Sequence, residues 1–355
     1  MINFRGSLGE GWHRHINIIE KIMIYKDNLE PFFEEFTRLT TQGEPCFFII
    51  NYPLTEAYLL DLTATEGSPQ LYFDYGYAYY PIKSSEVSQT PSPSRLLEKH
   101  PEPISRYAQR FEIVHDALQR GEISLINLTL ATPIKSPCTL REIYSSSGAK
   151  YKVMLEQQFV CFSPERFVHI NQEGIITSHP MKGTIRADIP NAAQVVLEDP
   201  KEIAEHTDMV ESMKEELGKV GENVSVPRFR YIDTIDTEEG GLLQVSSEVR
   251  AELPENWRQM SGKILKELLP AGSIAGIPKE SALRIIDQAE QHNRGYYSGI
   301  SGYFDGKELE TSVMIRFIQQ LEDGSLIFHS GGGVTVNSQC EKEYQEVLAK
   351  IYLPK

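Results

Sequence analysis

The chain has 355 residues, of which 40% are hydrophobic and 24% charged, and a formal net charge of −15. Such values suit a globular protein of one large domain or two, and an acidic balance without clustered Lys and Arg argues against nucleic acid as a partner. No run reaches the roughly 18 apolar residues of a membrane span, and the N-terminal MINFRGSLGEGWHRHINIIEK lacks the basic-then-apolar order of a signal peptide. A cytoplasmic protein is therefore expected. Cys46, Cys138, Cys161 and Cys340 lie far apart with no CxxC pair, which predicts neither a zinc site nor a disulfide framework.

In chain order, Pro45–Tyr52 and Leu71–Tyr75 are aromatic and β-branched enough to predict strands, with a short helix over Leu54–Leu62 between them. From Lys83 to Glu102 the composition turns to Ser, Pro and Glu, which predicts a mobile loop. Apolar residues at helical spacing from Ile104 to Gln119, followed by Gly121, predict a helix. Strands are expected over Ile123–Ala131, Val153–Phe162, Arg166–Ile170 and Gly174–Thr177. Pro200–Leu217 predicts a helix, with Pro at its start and Gly218 just past its end. Strands over Phe229–Ile235 and Leu242–Val249, helices after Glu255 and Pro278, a hairpin of Leu309–Gln320 with Ser325–Ser330, and a helix from about Cys340 complete the chain. Strands that neighbour one another more than they alternate with helices favour an α+β fold.

Several stretches could carry chemistry. Ser178–Thr184 reads as a shaped bend in which Pro180 and Gly183 set the backbone and Lys182 and Thr184 are presented together; a plain surface turn with a solvated lysine reads the same way. Glu202 with Glu205, and Glu343 with Glu346, are spaced by three, so each pair shares a helix face. Solvated helix faces carry such pairs commonly, but four carboxylates from two helices would also suit a hard cation such as Mg²⁺. Gly331, Gly332 and Gly333 could turn backbone N–H groups toward a carboxylate or could form a simple corner. Arg316, on the strand-like Ser312–Ile318, is either an edge residue or an anion clamp. Pro270–Lys279 is a Gly- and Pro-punctuated approach to a helix that does not match a P-loop.

Eight stretches in order resemble the chorismate-utilising enzymes, a family that includes anthranilate, isochorismate and aminodeoxychorismate synthases. They are GEISLINLT (121–129), SPERF (163–167), PMKGT (180–184), EIAEH (202–206), AGSIAGIPK (271–279), RGYYSG (294–299), VMIR (313–316) and GGGVTVNSQCEKEYQE (331–346). The resemblance runs from about residue 121 to the C-terminus, and residues 1–120 are generic beside it. It implies two packed antiparallel sheets flanked by helices, as in anthranilate synthase component I, within one continuous domain.

Lysine at position 182 resembles the aminodeoxychorismate synthase branch, where other branches carry alanine. On that resemblance Lys182 attacks chorismate at C2 and displaces the C4 hydroxyl, after which ammonia enters at C4 and expels the lysine. A free lysine has a pKa of about 10.4, so a pocket that lowers it to about 7–8 is expected. The resemblance further implies Glu165 as the acid/base at the C4 hydroxyl and Thr184 near the leaving oxygen. Glu205 and Glu346 would hold Mg²⁺ directly, Glu202 and Glu343 through water. Gly331–Gly333 and the metal would take the ring carboxylate, Tyr297 and Arg316 the enolpyruvyl carboxylate, and Lys279 joins the substrate contacts.

Two departures stand out. Gln244 replaces the histidine of most members and can hydrogen-bond without carrying a proton. Glu211–Glu216 replaces a run of Asp, two residues, then Arg-Asn-Asp. No GxCxG nucleophile motif is present, so ammonia is expected from a separate glutamine amidotransferase subunit. The rival readings are an anthranilate or isochorismate synthase, which Lys182 disfavours, and a chorismate-binding protein without turnover.

Overall fold

The computed structural model describes residues 22–63, 70–76, 78–80, 97–237 and 240–353. Among them, strands form two antiparallel sheets, of ten and nine strands, with helices on the outer faces, an α+β sandwich. The larger sheet runs, by residue range, 22–26, 56–61, 46–50, 300–304, 309–313, 166–170, 175–178, 240–252 and 181–186, with 222–237 also paired to 240–252. The smaller runs 276–277, 125–135, 326–334, 317–320, 159–163, 151–155, 71–74 and 79–80, with 98–99 paired to 125–135.

Alternation within the strands builds the layers. In Cys46–Ile50, Phe47 and Ile49 face the smaller sheet while Cys46, Phe48 and Ile50 face helices, so every side chain is buried. Between the sheets Phe47 stacks on Phe73 with ring centroids 4.0 Å apart, a contact worth about 0.5–1.5 kcal/mol beyond the area it buries. Outside the larger sheet, Phe32 and Phe36 of helix Glu30–Gln42, Leu265 of Ser261–Leu268 and Leu217 of Pro200–Gly218 cover Phe48 and Val249. Outside the smaller sheet, helices Ile104–Gln119, Lys279–Ala289 and Cys340–Ala349 pack on Leu128 and Leu130.

The expected helix over Leu54–Leu62 is instead the strand Glu56–Asp61. Asn51 Oδ1 accepts the N–H groups of Thr55 and Glu56, closing a turn from Cys46–Ile50 into its neighbour. Ala57 and Leu59 then face the helices and Tyr58 and Leu60 the other sheet. A strand buried on both faces reads as a continuous apolar run, which periodicity cannot distinguish from a helix. The expected strand Val153–Phe162 divides into Tyr151–Leu155 and Phe159–Ser163 around Gln157, whose φ is 58°. Of the loop expected over Lys83–Glu102, residues 83–96 lie outside the described residues, and Glu98–Lys99 pairs with Lys135 and Ile134.

Two further differences shape the site. The strand expected over Leu309–Gln320 is two strands in different sheets: Leu309–Val313 belongs to the larger, and Phe317–Gln320, which makes the expected hairpin with Leu326–Val334, to the smaller. The chain changes sheets at Arg316, whose φ is 54°, so the arginine lies off the strand on which it was expected. The bend at Ser178–Thr184 is no reversal either. Ile175–Ser178 and Met181–Arg186 lie end to end against Gly240–Glu252, with Ser178 opposite Val249 and Met181 opposite Ser246. Pro180 interrupts the strand because it has no N–H to give, and the register slips between Met181 and Thr184. Gly183, at φ 98°, permits that bulge, where a side chain would strain the backbone.

Candidate active site

The bulge puts Lys182 opposite helix Pro200–Gly218, which Asp199 caps through the N–H groups of Lys201 and Glu202. Lys182 Nζ lies 2.9 Å from Glu205 Oε2. Lys201 Nζ is 3.6 Å from the other oxygen of Glu205, which also accepts Thr335 Oγ1 at 3.1 Å. Buried His206 ties the two elements together: one ring nitrogen meets Lys182 O at 3.1 Å and the other Ser247 Oγ at 2.7 Å. Arg230 secures the start of the helix by donating to the carbonyls of Val196, Leu197 and Glu202.

The lysine is not poised as a neutral amine in this state. Burial alone would lower its pKa, but the charges of Glu205, Glu202 and Glu346 outweigh burial and hold it above the ordinary lysine value. The expected lowering to about 7–8 is absent here. The opposing carboxylates come from helix Cys340–Ala349. Burial pushes Glu343 up, with Glu346 adding to the effect; Glu346 itself sits low, because Lys350, 2.8 Å away, and the other lysines outweigh its burial.

All four glutamates thus face one region. A Cβ at Gly332 would lie 3.8 Å from both Glu343 Oε2 and Glu346 Oε1, and one at Gly183 would lie 3.1 Å from Glu202 Oε2. That Glu202 oxygen is buried without a hydrogen-bond partner, which a cation or its water would supply. Among the described residues no three carboxylate, imidazole or thiol groups are drawn tightly enough to enclose an ion as they stand; lysine ammonium groups hold Glu205 and Glu346 instead. The donor set, all hard oxygens, fits Mg²⁺.

Thr184 and Gln244 face each other across the strand pair. Gln244 Oε1 accepts Thr184 Oγ1 at 2.7 Å, while Nε2 donates to Gly183 O at 3.0 Å. Gln244 therefore fixes both the threonine hydroxyl and the bulge.

Glu165 enters from the end of Phe159–Ser163. Its N–H donates to Ser163 Oγ, its carbonyl accepts Val313 N–H, and its Oε1 accepts Ser273 Oγ at 2.6 Å. Burial raises the carboxyl pKa, opposed by Ser273 and by the charges of Arg316 and Lys350. Arg316 also acts on buried Tyr297, and its Nε is buried without a hydrogen-bond partner. Tyr297 stacks on His329, with centroids 5.2 Å apart.

The three glycines lie within strand Leu326–Val334 rather than after it, opposite Thr129, Leu128 and Asn127. A Cβ at Gly331 would meet Thr129 Cγ2 at 2.9 Å, Asn127 Oδ1 at 3.0 Å and Tyr297 Oη at 3.1 Å, so only glycine fits. Its carbonyl accepts Lys350 Nζ at 3.0 Å. Strand pairing on that side ends at His329, which leaves this edge of the glycines facing the lysine.

Lys279 does not join the site. Its Nζ donates to Leu268 O and Pro270 O and pairs with Glu216 at 3.4 Å. Glu216 belongs to the divergent stretch, where Lys214 pairs with Glu211 at 2.8 Å. That stretch is continuous helix, and Lys279–Glu216 packs it against the turn before Lys279–Ala289. Ser273, Lys350, His206 and Thr335 were not anticipated from the sequence. Ser273 lay inside a quoted motif and Lys350 one turn beyond Glu346, but spacing gave neither a partner.

The chain matches the chorismate binding enzyme family over residues 52–354, well upstream of the motifs. It is 43% identical over 331 residues to an uncharacterized PabA-like protein of Haemophilus influenzae, covering 93% of this chain and 98% of that one. It is 28% identical over 292 residues to aminodeoxychorismate synthase component 1 of Salmonella typhimurium, covering 77% of this chain and 62% of that one. In structure it is similar to anthranilate synthase component I from Streptococcus pneumoniae, with TM-score 0.69 and 18% identity over 96% of this chain and 94% of that one. It is also similar to the menaquinone-specific isochorismate synthase of Escherichia coli, with TM-score 0.68 and 18% identity over 91% of this chain and 80% of that one. With the family matched across most of its length and the sandwich shared, this chain belongs to the chorismate binding enzyme family.

Proposed function

We propose that the chain is an aminodeoxychorismate synthase component I, which aminates chorismate at C4 with ammonia to give 4-amino-4-deoxychorismate and water. The observation that carries this reading is Lys182, set on a bulge beside Thr184 and ion-paired to Glu205. Neutral Lys182 adds to C2, both ring double bonds shift, and the C4 hydroxyl departs as water with a proton from Glu165. Ammonia then adds at C4 and returns its surplus proton to Glu165, the double bonds shift back, and Lys182 leaves C2 as the free amine. Splitting one displacement in two is the benefit of a covalent nucleophile.

Glu205 and Glu346, with Glu202 and Glu343 through water, would hold Mg²⁺. When bound, the cation supplies positive charge for the ring carboxylate. With Glu205 so engaged, Lys182 loses the partner that keeps it protonated. Arg316, Tyr297 and Lys350 offer the cation and hydrogen-bond donors for substrate carboxylates, and Gln244 aims the Thr184 hydroxyl. Ammonia comes from a glutamine amidotransferase partner in this reading.

Incubation of the purified chain with chorismate, Mg²⁺ and ammonium, followed by product identification, tests the assignment. Release of 4-amino-4-deoxychorismate is expected. Anthranilate or isochorismate would assign the chain to another branch, and bound but unchanged chorismate would make it a binding protein.

A further inference from the structure

Ser273 sits on the short turn Gly272–Ile274, which packs against helix Pro200–Gly218 but belongs to none of the elements that carry the lysine and the glutamate pairs. The turn is pinned from behind. Buried Arg294 donates to Ile274 O at 2.8 Å and to Asn127 O at 2.8 Å, and Asn127 N–H donates to Ala275 O at 2.9 Å. Arg294 is itself held by Glu290 at 2.7 Å. The Ser273 hydroxyl is therefore aimed by a buried ion pair, and it meets Glu165 Oε1 at 2.6 Å. The Glu165 backbone is fixed separately, by Ser163 Oγ and Val313 N–H.

A serine hydroxyl has one hydrogen, and a neutral carboxyl has one O–H and one carbonyl oxygen. With its hydrogen on Oε1, Ser273 makes that atom the acceptor and leaves Oε2 to carry the proton. We infer that Ser273 is a positioning residue that assigns the acid proton of Glu165 to Oε2, the oxygen it leaves free to serve the departing hydroxyl. The inference rests on the proposed acid role of Glu165. Without Ser273 the carboxyl can rotate and present either oxygen, and a general acid that is misaimed loses part of its roughly 10²–10⁴-fold contribution.

Charge gives the accompanying pH signature. The groups acting on the Glu165 carboxyl are Ser273 from this turn, Arg316 from the crossover between sheets and Lys350 beyond helix Cys340–Ala349, and all three oppose the upward push of burial. Removing the hydroxyl frees the carboxyl to rise further, so an acid that must be protonated stays active to higher pH.

The experiment compares wild type, Ser273→Ala, Ser273→Thr and Glu165→Gln in the full chain with Mg²⁺, holding free ammonia constant by adjusting total ammonium at each pH. Ser273→Ala is expected to lower kcat roughly tenfold or more with KM for chorismate little changed, and to move the alkaline limb of kcat upward. Ser273→Thr, which restores a hydroxyl, is expected to return both. An infrared difference spectrum against Glu165→Gln supplies a readout free of turnover, since loss of the bond to Oε1 raises the carbonyl stretch of the protonated acid. An unmoved alkaline limb and an unmoved stretch in Ser273→Ala would overturn the positioning role. Wild-type kcat in Glu165→Gln would instead remove the acid reading on which it rests.

Discussion

Lys182 Nζ and Glu205 Oε2 are 2.9 Å apart, joining a bulged strand to the helix that carries half of the glutamate cluster. The pair makes the proposed nucleophile and a proposed metal ligand neutralise each other. Lys182→Met keeps the length of the side chain without its charge. It should abolish C4 amination and, since the ammonium no longer competes, tighten Mg²⁺ binding about tenfold by calorimetry without substrate, a change of about 1.4 kcal/mol. Amination at the wild-type rate would sink the nucleophile, and unchanged Mg²⁺ affinity would sink the competition.

The glutamates give a second test. Chelation should stop turnover and Mg²⁺ should restore it. Glu205→Gln and Glu346→Gln should each raise the Mg²⁺ concentration for half-maximal rate roughly 10–100-fold. Wild-type metal dependence in both variants would mean that the cluster holds no cation.

Gln244 binds Thr184 and the carbonyl of Gly183 at once. Gln244→Ala should lower kcat about tenfold, the scale of one hydrogen bond of about 1–1.5 kcal/mol. Kinetics indistinguishable from wild type would leave the Thr184 hydroxyl without need of an anchor.

Buried Glu290 and Arg294 make the stability prediction. Burial would raise the Glu290 carboxyl, but Arg294 outweighs it and holds the group below the ordinary carboxylate value. A depressed acid contributes stability that is present above its unfolded pKa and is lost as pH falls through the folded one. Thermal midpoints should therefore fall on acidification below about pH 4.5, and fall less in Glu290→Gln. That variant should lose about 3–5 kcal/mol near neutrality, since it leaves a buried arginine unpaired. Parallel acid profiles for the two proteins would place the loss elsewhere.

Ammonia supply is the last test. Cys46 and Cys161 are fully buried, and burial pushes both thiols far above the ordinary cysteine range, so neither is a nucleophile for glutamine. The isolated chain should use ammonium salts, with a rate that rises as pH frees the amine, and should ignore glutamine until a glutaminase partner is added. Glutamate released from glutamine by the chain alone, at the rate of amination, would contradict the two-subunit reading.

Local signals settled much of this protein from its sequence. Helix Ile104–Gln119 and strand Arg166–Ile170 have the expected bounds, because a 3.6-residue stripe ending at Gly121 and a short β-branched run are each complete within their own segment. The ordered motifs likewise identified the family, since they are read residue by residue. Tertiary structure alone decided what those residues meet. The run Leu54–Leu62 became a strand because helices bury one of its faces and the other sheet the second, and Arg316 left its expected strand because the chain changes sheets there. Lys279, from a family motif, pairs with Glu216, while unheralded Ser273 holds Glu165. Such pairings join residues that are distant in sequence, here 63 and 108 positions apart by residue number. Periodicity reports which face of an element is buried, whereas a partner across the core is fixed only when every element has packed.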